Sequence, residues 1–178
     1  MITVGTEIKW ADMQVDLAAP STLILGIGNI LLTDDGIGIH VIQALQAMVQ
    51  DGAMPFAVSL RDGGTIGLAL LAEIEDCDAM IALDAMELGA APGTVRSFEG
   101  AAMDAQLGGN KRTAHEVALA DLMTAAQLAG YAPTRRALVG IQPGSTQWGL
   151  TPTDAVSQAV PLACDIVVSL MGRWSHIP

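Results

Sequence analysis

Aromatic residues are scarce in this 178-residue chain: three Trp, two Phe and one Tyr, about 3% of the total. Ala, Leu, Ile, Val and Gly take their place, a composition that suits a sheet covered by helices of small residues. Basic residues are also few, 8 Lys and Arg against 19 Asp and Glu, for a formal net charge of −11. Nucleic acid is thereby excluded as a partner, because each phosphate contact takes a Lys or Arg. A protein partner with a basic patch is not. Cysteine is limited to Cys77 and Cys164, far apart, in apolar surroundings and without CxxC spacing; they read as buried free thiols in a reducing cytosol. Glu7, Lys9 and Asp12 interrupt the N-terminus, so no signal peptide is expected. No uninterrupted apolar run reaches the roughly 18 residues of a membrane span, and the most apolar stretch, Val160 to Met171, carries Asp165. The expectation is a cytoplasmic protein with no membrane partner.

Common active-site motifs are missing too. His115-Glu116 is followed by Leu119, so there is no HExxH zinc helix. No GxSxG elbow is present, and neither cysteine sits in a loop beside a base. The most informative segment runs from Leu23 to Gly38. It reads as a buried strand, a glycine turn and then two acids, Asp34 and Asp35. A βα unit offers free N–H groups and a positive dipole end to an anion. Here negative charge already stands at that end, and Gly26-x-Gly28 is followed by Leu31 where the dinucleotide fingerprint needs a third glycine. Nucleotide is therefore not expected; a metal or another cationic group is.

Residues 1–20 read as an N-terminal extension and 21–178 as a single α/β domain, long enough for a full core. Apolar runs alternate with helical patterns. Strands are expected at Thr22–Ile27, Ala57–Arg61, Ala79–Leu83, Gly93–Phe98 and Arg136–Ile141. Helices are expected at Gly36–Met48, Ile66–Ile74, Ala114 to about Leu128, and Thr151–Leu170. The third of these opens on the capping box Thr113-x-x-Glu116; the last has Thr151 as N-cap and Pro152 at its first position. Glu99–Asn110 reads as a loop. The fold class is a three-layer α/β/α domain: one open, twisted, mostly parallel sheet of about five strands with helices on both faces.

In such sheets ligands bind outside the carboxyl ends of the strands. That rim holds Asn29–Asp35, Asp62-Gly63-Gly64-Thr65, Asp84 to Glu87 and Gln142, and the helix opened by His115 should start there. The positive helix end opposes imidazolium at His115 by about 0.3–1 kcal/mol, favouring the neutral form that binds metal or accepts a proton. Plainer roles compete. Asp34 and Asp35 each have the option of capping the following helix, Asp34 being the more structural of the two. Asp62 before two glycines is a natural turn former. Asp84 is harder to dismiss, since an acid directly ending an apolar strand is costly unless it faces a site. His40 and His176 have no acidic partner placed by spacing. Two acids and a histidine on one rim make an oxygen and nitrogen donor set that suits divalent ions such as Ni, Zn or Mn.

Taken in order, Gly26-Ile-Gly28-Asn29 through Asp34-Asp35-Gly36-Ile-Gly38, Asp62-Gly-Gly-Thr65, Ile81-Ala-Leu-Asp84-Ala, Pro92-Gly-Thr94, His115-Glu-Val-Ala-Leu-Ala-Asp121 and Val139-Gly-Ile-Gln-Pro143 closely resemble the hydrogenase maturation endopeptidases. The resemblance spans about Leu23 to Leu170 and leaves out the N-terminal extension. It implies a cytoplasmic endopeptidase that removes a C-terminal peptide from the large-subunit precursor of a nickel–iron hydrogenase after nickel insertion. It also implies that Asp35, Asp84 and His115 are the catalytic and metal-contacting residues, and that Asp62, Gly63, Gly64 and Thr65 match protease to precursor. Where some members carry Glu, this chain has Asp35, one methylene shorter. The nickel would come with the substrate, other divalent ions substituting in isolation. A non-catalytic metal-binding or chaperone-like module is the alternative, and a nucleotide-dependent enzyme a third reading.

Overall fold

The computed structural model describes residues 21–64, 70–109 and 114–175, the side chains at 114–116 excepted. The N-terminal extension, Thr65, Thr113 of the expected capping box and His176 lie outside them. Five strands form one sheet: β1 (Thr22–Ile27), β2 (Ser59–Gly64), β3 (Ala79–Ala85), β4 (Val95–Glu99) and β5 (Arg135–Ile141), in spatial order β2-β1-β3-β5-β4. All neighbours are parallel except β4, which runs antiparallel to β5 along one edge. The sheet is sandwiched between helices, as the sequence leads one to expect.

Alternation along the central strands sorts side chains between two cores. Ile24, Ile81, Leu83, Val139 and Ile141 face one layer, with Ile37, Val41, Ile42 and Leu45 of α1 (Ile37–Gln50). On the same side, α5 (Asp154–Ser157) contributes Val156, and α6 (Val160–Ser175) contributes Val167, Leu170 and Trp174. Leu23, Leu25, Ile27, Met80 and Ala82 face the other layer. There they meet Ile74 of α2 (Leu71–Glu75), Met103 and Leu107 of α3 (Ala101–Gly108), and Leu119, Leu122 and Met123 of α4 (Ala114–Ala129). By length and composition alone Asp154–Ser175 would pass for a membrane span. Its apolar face is instead part of the core, with Ala163, Cys164, Val167, Leu170, Met171 and Trp174 buried.

Three expectations change. Glu99–Asn110 is not a loop: α3 occupies most of it, because Met103 and Leu107 stand one turn apart and bury together. Asp104 on this helix also makes a bidentate pair with Arg136 at the start of β5. The helix expected over Thr151–Leu170 is two helices, the first beginning at Asp154 with Thr153 at the N-cap position. Pro161 has no N–H to donate, so it sits in the first turn of α6 and the helix breaks before it. Finally, β2 and β3 run further than their apolar stretches. Asp62, Gly63 and Gly64 are the end of β2, with a register shift opposite Gly26 and Ile27. Asp84 lies inside β3, opposite Gly140 of β5.

Candidate active site

From β1 the chain crosses to β2 on one side and later to β3 on the other, so the β1–β3 boundary is the topological switch point where such sheets bind ligands. The carboxyl ends of both strands carry acids. After β1, Gly28 turns the chain with φ 133°, and a Cβ there would lie 1.9 Å from the Asp35 carbonyl oxygen. Only glycine allows the loop to fold back this closely. A short 3-10 turn, Thr33–Gly36, follows and leads into α1. Gly38 lets the start of α1 settle on the Leu83 and Ile27 carbonyls, which a Cβ would strike at 2.2 and 2.4 Å. The glycines thus close-pack helix on sheet.

Asp34 and Asp35 are adjacent in sequence and differently employed. Neither caps α1, whose N-cap position is Gly36 without a side-chain bond. Asp34 is fully buried. Its carboxylate accepts N–H bonds from Gly144, Ser145 and Thr153 and the Thr153 hydroxyl bond, tying the β1 loop to the segment after β5. Burial pushes its pKa up, but the bonds from Thr153, Gly144 and Ser145 outweigh it and hold the carboxyl below its usual range. Asp35 is also buried; one of its oxygens accepts the Asn29 N–H at 3.0 Å, closing the loop on itself. Gln142 makes a second clamp. Its side-chain carbonyl accepts from Leu88 at 2.7 Å and Ala90 at 3.3 Å, fixing the loop after β3 to the end of β5. In the sequence Gln142 is only a rim position; its partners more than 50 residues away leave no local signal.

Asp84 is 1% exposed and lies inside its strand rather than just beyond it. The reason is that β3 continues to Ala85 along β5, while the 3-10 turn packs over β3. Its place in the alternation, after Met80 and Ala82, puts its side chain on the face that α4 covers. The start of α4 belongs at this same rim. The helix ends at Ala129, and a short turn delivers the chain to Arg135 at the amino end of β5. Sixteen helical residues rise about 24 Å, comparable to the seven-residue strand at roughly 23 Å. His115, in the first turn of α4, is therefore carried to the carboxyl edge on the Asp84 face, its side chain outside the described residues. Among the described residues no three His, Cys, Asp or Glu side chains are placed to hold a metal ion. Asp62 accepts the Gly64 N–H at 2.9 Å, and the Gly64 carbonyl accepts from Gly28, so the end of β2 is joined to the β1 turn. Asp62 is thus a local turn stabiliser on the edge strand, exposed at the same rim.

Against known families, a model described as hydrogenase maturation protease matches residues 39–170. The chain belongs to that family. It is accordingly a peptidase, as its relatives are named. Hydrogenase 2 maturation protease of Escherichia coli K12 is 40% identical over 134 residues, covering 74% of this chain and 79% of that protein. Hydrogenase expression/formation protein HupD of Rhodobacter capsulatus is 35% identical over 153 residues, covering 85% and 71%. Among solved structures, the hydrogenase maturating endopeptidase HybD from Escherichia coli superposes with a TM-score of 0.77 at 32% identity, over 86% of this chain and 93% of that one. The range matched by the maturation protease model contains Asp62–Thr65, Asp84 and His115; Asp35 stands just before it.

Proposed function

We propose that this maturation protease removes the C-terminal extension of a nickel–iron hydrogenase large-subunit precursor in the cytoplasm, after nickel insertion, and recognises the precursor through that nickel. The observation that carries this reading is Asp84, a buried carboxylate at the carboxyl end of a wholly apolar strand, at the switch point and on the face where α4 begins. Burying a carboxylate costs several kcal/mol unless something there uses the charge. The nickel is substrate cargo, held by the precursor's own thiolates. Asp35, Asp84 and His115 supply oxygen and nitrogen donors that complement soft sulfur ligands. Docked there, the nickel would supply Lewis-acid polarisation of the scissile carbonyl, or Asp35 or Asp84 would act as the base that takes the proton of the attacking water. Asp62, Gly63 and Gly64 border the same rim from the edge strand and, with Thr65 next in sequence, are assigned to precursor selection.

The test is gel mobility of a nickel-loaded large-subunit precursor incubated with wild type, Asp84→Asn and His115→Ala, with circular dichroism as the folding control. Wild type should shorten the precursor and both variants should not, while remaining folded. A D84N enzyme that trims at the wild-type rate would refute the assignment. A wild-type protein that only forms a complex would point to a chaperone-like module instead.

A further inference from the structure

The two loops that meet at the rim also expose its largest apolar side chains. Ile30 and Leu31, in the loop before Asp35, are 43% and 44% exposed; Trp148 and Leu150, between β5 and α5, are 82% and 70% exposed. They belong to one surface. Leu32 and Gly149 form a parallel bridge, the Thr33 N–H donates to the Gly149 carbonyl at 2.8 Å, and the Gly149 N–H donates to the Leu31 carbonyl at 3.0 Å. Trp148 and Leu150 flank the glycine that makes those bonds. The platform is fixed from beneath by the Asp34 carboxylate and by the Thr33 hydroxyl, which donates to the Ser145 carbonyl at 2.6 Å. With the backbone already held, binding there costs the ordering of side chains rather than of the loop. No Lys, Arg, Asp or Glu occurs in Gly28–Thr33 or Gln142–Thr153, in a chain of net charge −11. The surface therefore suits an apolar occupant.

We propose that Ile30, Leu31, Trp148 and Leu150 form an exosite that docks an apolar surface of the folded large-subunit precursor and so sets its C-terminal segment over Asp35 and Asp84. The proposal rests on the function given above and names where that substrate is gripped. It follows from continuity: the patch and Asp35 share one loop, so a partner seated on Ile30 and Leu31 is held beside that acid. A second copy of this chain seated on the patch would cover the same loop and obstruct the route. Trp is among the residues that most often dominate an interface.

The test measures processing of nickel-loaded precursor over a range of precursor concentrations. Trp148→Ala should raise KM about 30-fold with kcat held within about twofold, and Trp148→Ala/Leu150→Ser should raise it further. Trp148→Phe should recover most of the affinity, and Leu128→Ala, on an exposed residue near the far end of α4, should change nothing. Asp84→Asn should lose cleavage and its share of the nickel contact yet keep measurable precursor capture, and adding Trp148→Ala should abolish that remaining capture, which separates gripping from chemistry. Unchanged KM in W148A, with wild type cleaving normally, would overturn the exosite and leave the proposed function standing. Wild type sedimenting as a dimer and W148A as a monomer, with equal KM, would overturn it in favour of self-association. No cleavage by wild type would instead refute the function itself.

Discussion

Replacing Asp34 by Ala withdraws one carboxylate from several donors at once: the N–H groups of Gly144, Ser145 and Thr153, and the Thr153 hydroxyl. Hydrogen bonds to a charged group contribute about 1.5–3 kcal/mol each, but bonds sharing one acceptor are not additive. The 144–153 segment also borders solvent, so part of the freed N–H set regains water. We expect a loss of about 3–5 kcal/mol, several neutral donors at about 1–3 kcal/mol each less what water restores. Asn, which keeps one acceptor but turns an NH2 toward donors, should cost roughly half of that. The pH dependence has a definite sign. The folded-state pKa of Asp34 lies below its ordinary value of 3.8, so its contribution is fully present above that value and disappears as pH falls through the folded one. Urea unfolding followed by far-UV circular dichroism should therefore give a wild-type minus D34A difference that is constant at pH 7 and 5 and narrows below about pH 4. A D34A protein within about 1 kcal/mol of wild type at pH 7, or a difference that stays constant to pH 3, would refute the clamp.

Gly28→Ala should displace Asp35, because the new Cβ meets the Asp35 carbonyl oxygen and the backbone stands at φ 133°. Precursor processing should be lost along with about 2–4 kcal/mol of stability, measured by gel mobility and urea unfolding. The isolated protein should bind nickel with a Kd no tighter than about 1 μM, because the proposed donors include no thiolate; calorimetric titration checks this, and tight stoichiometric nickel surviving chelator would contradict it. Burial pushes the thiols of Cys77 and Cys164 up to about 11. At pH 8 only about a thousandth of each would be thiolate, so iodoacetamide should label the native protein far more slowly than the urea-unfolded one, followed by mass spectrometry.

The parts of this fold legible in the sequence are those set by local pattern. Residues 23–27, 79–83 and 137–141 are continuous apolar runs, which in an α/β chain means strands buried on both faces. α1 and α4 are long enough for their helical composition to override neighbouring signals. α3 was not legible, because its helix rests on burial of two residues and an ion pair to Arg136, 32 positions away. At the site, the sequence placed acids and a histidine on one rim, since the ends of parallel strands and the start of a returning helix must converge there. It could not say how two neighbouring aspartates divide their work. Asp34 finds donors 110 to 119 residues further along, while Asp35 finds Asn29 six residues back. Likewise an apolar run ending in Asp84 marks a strand terminus, and only the β5 partner strand carries β3 through that residue and buries it. Separation along the chain hides such contacts from any local pattern. Closing a long loop between the partners is a task of the whole fold, and tertiary structure alone decided which carboxylate binds the loops and which are held at the switch point.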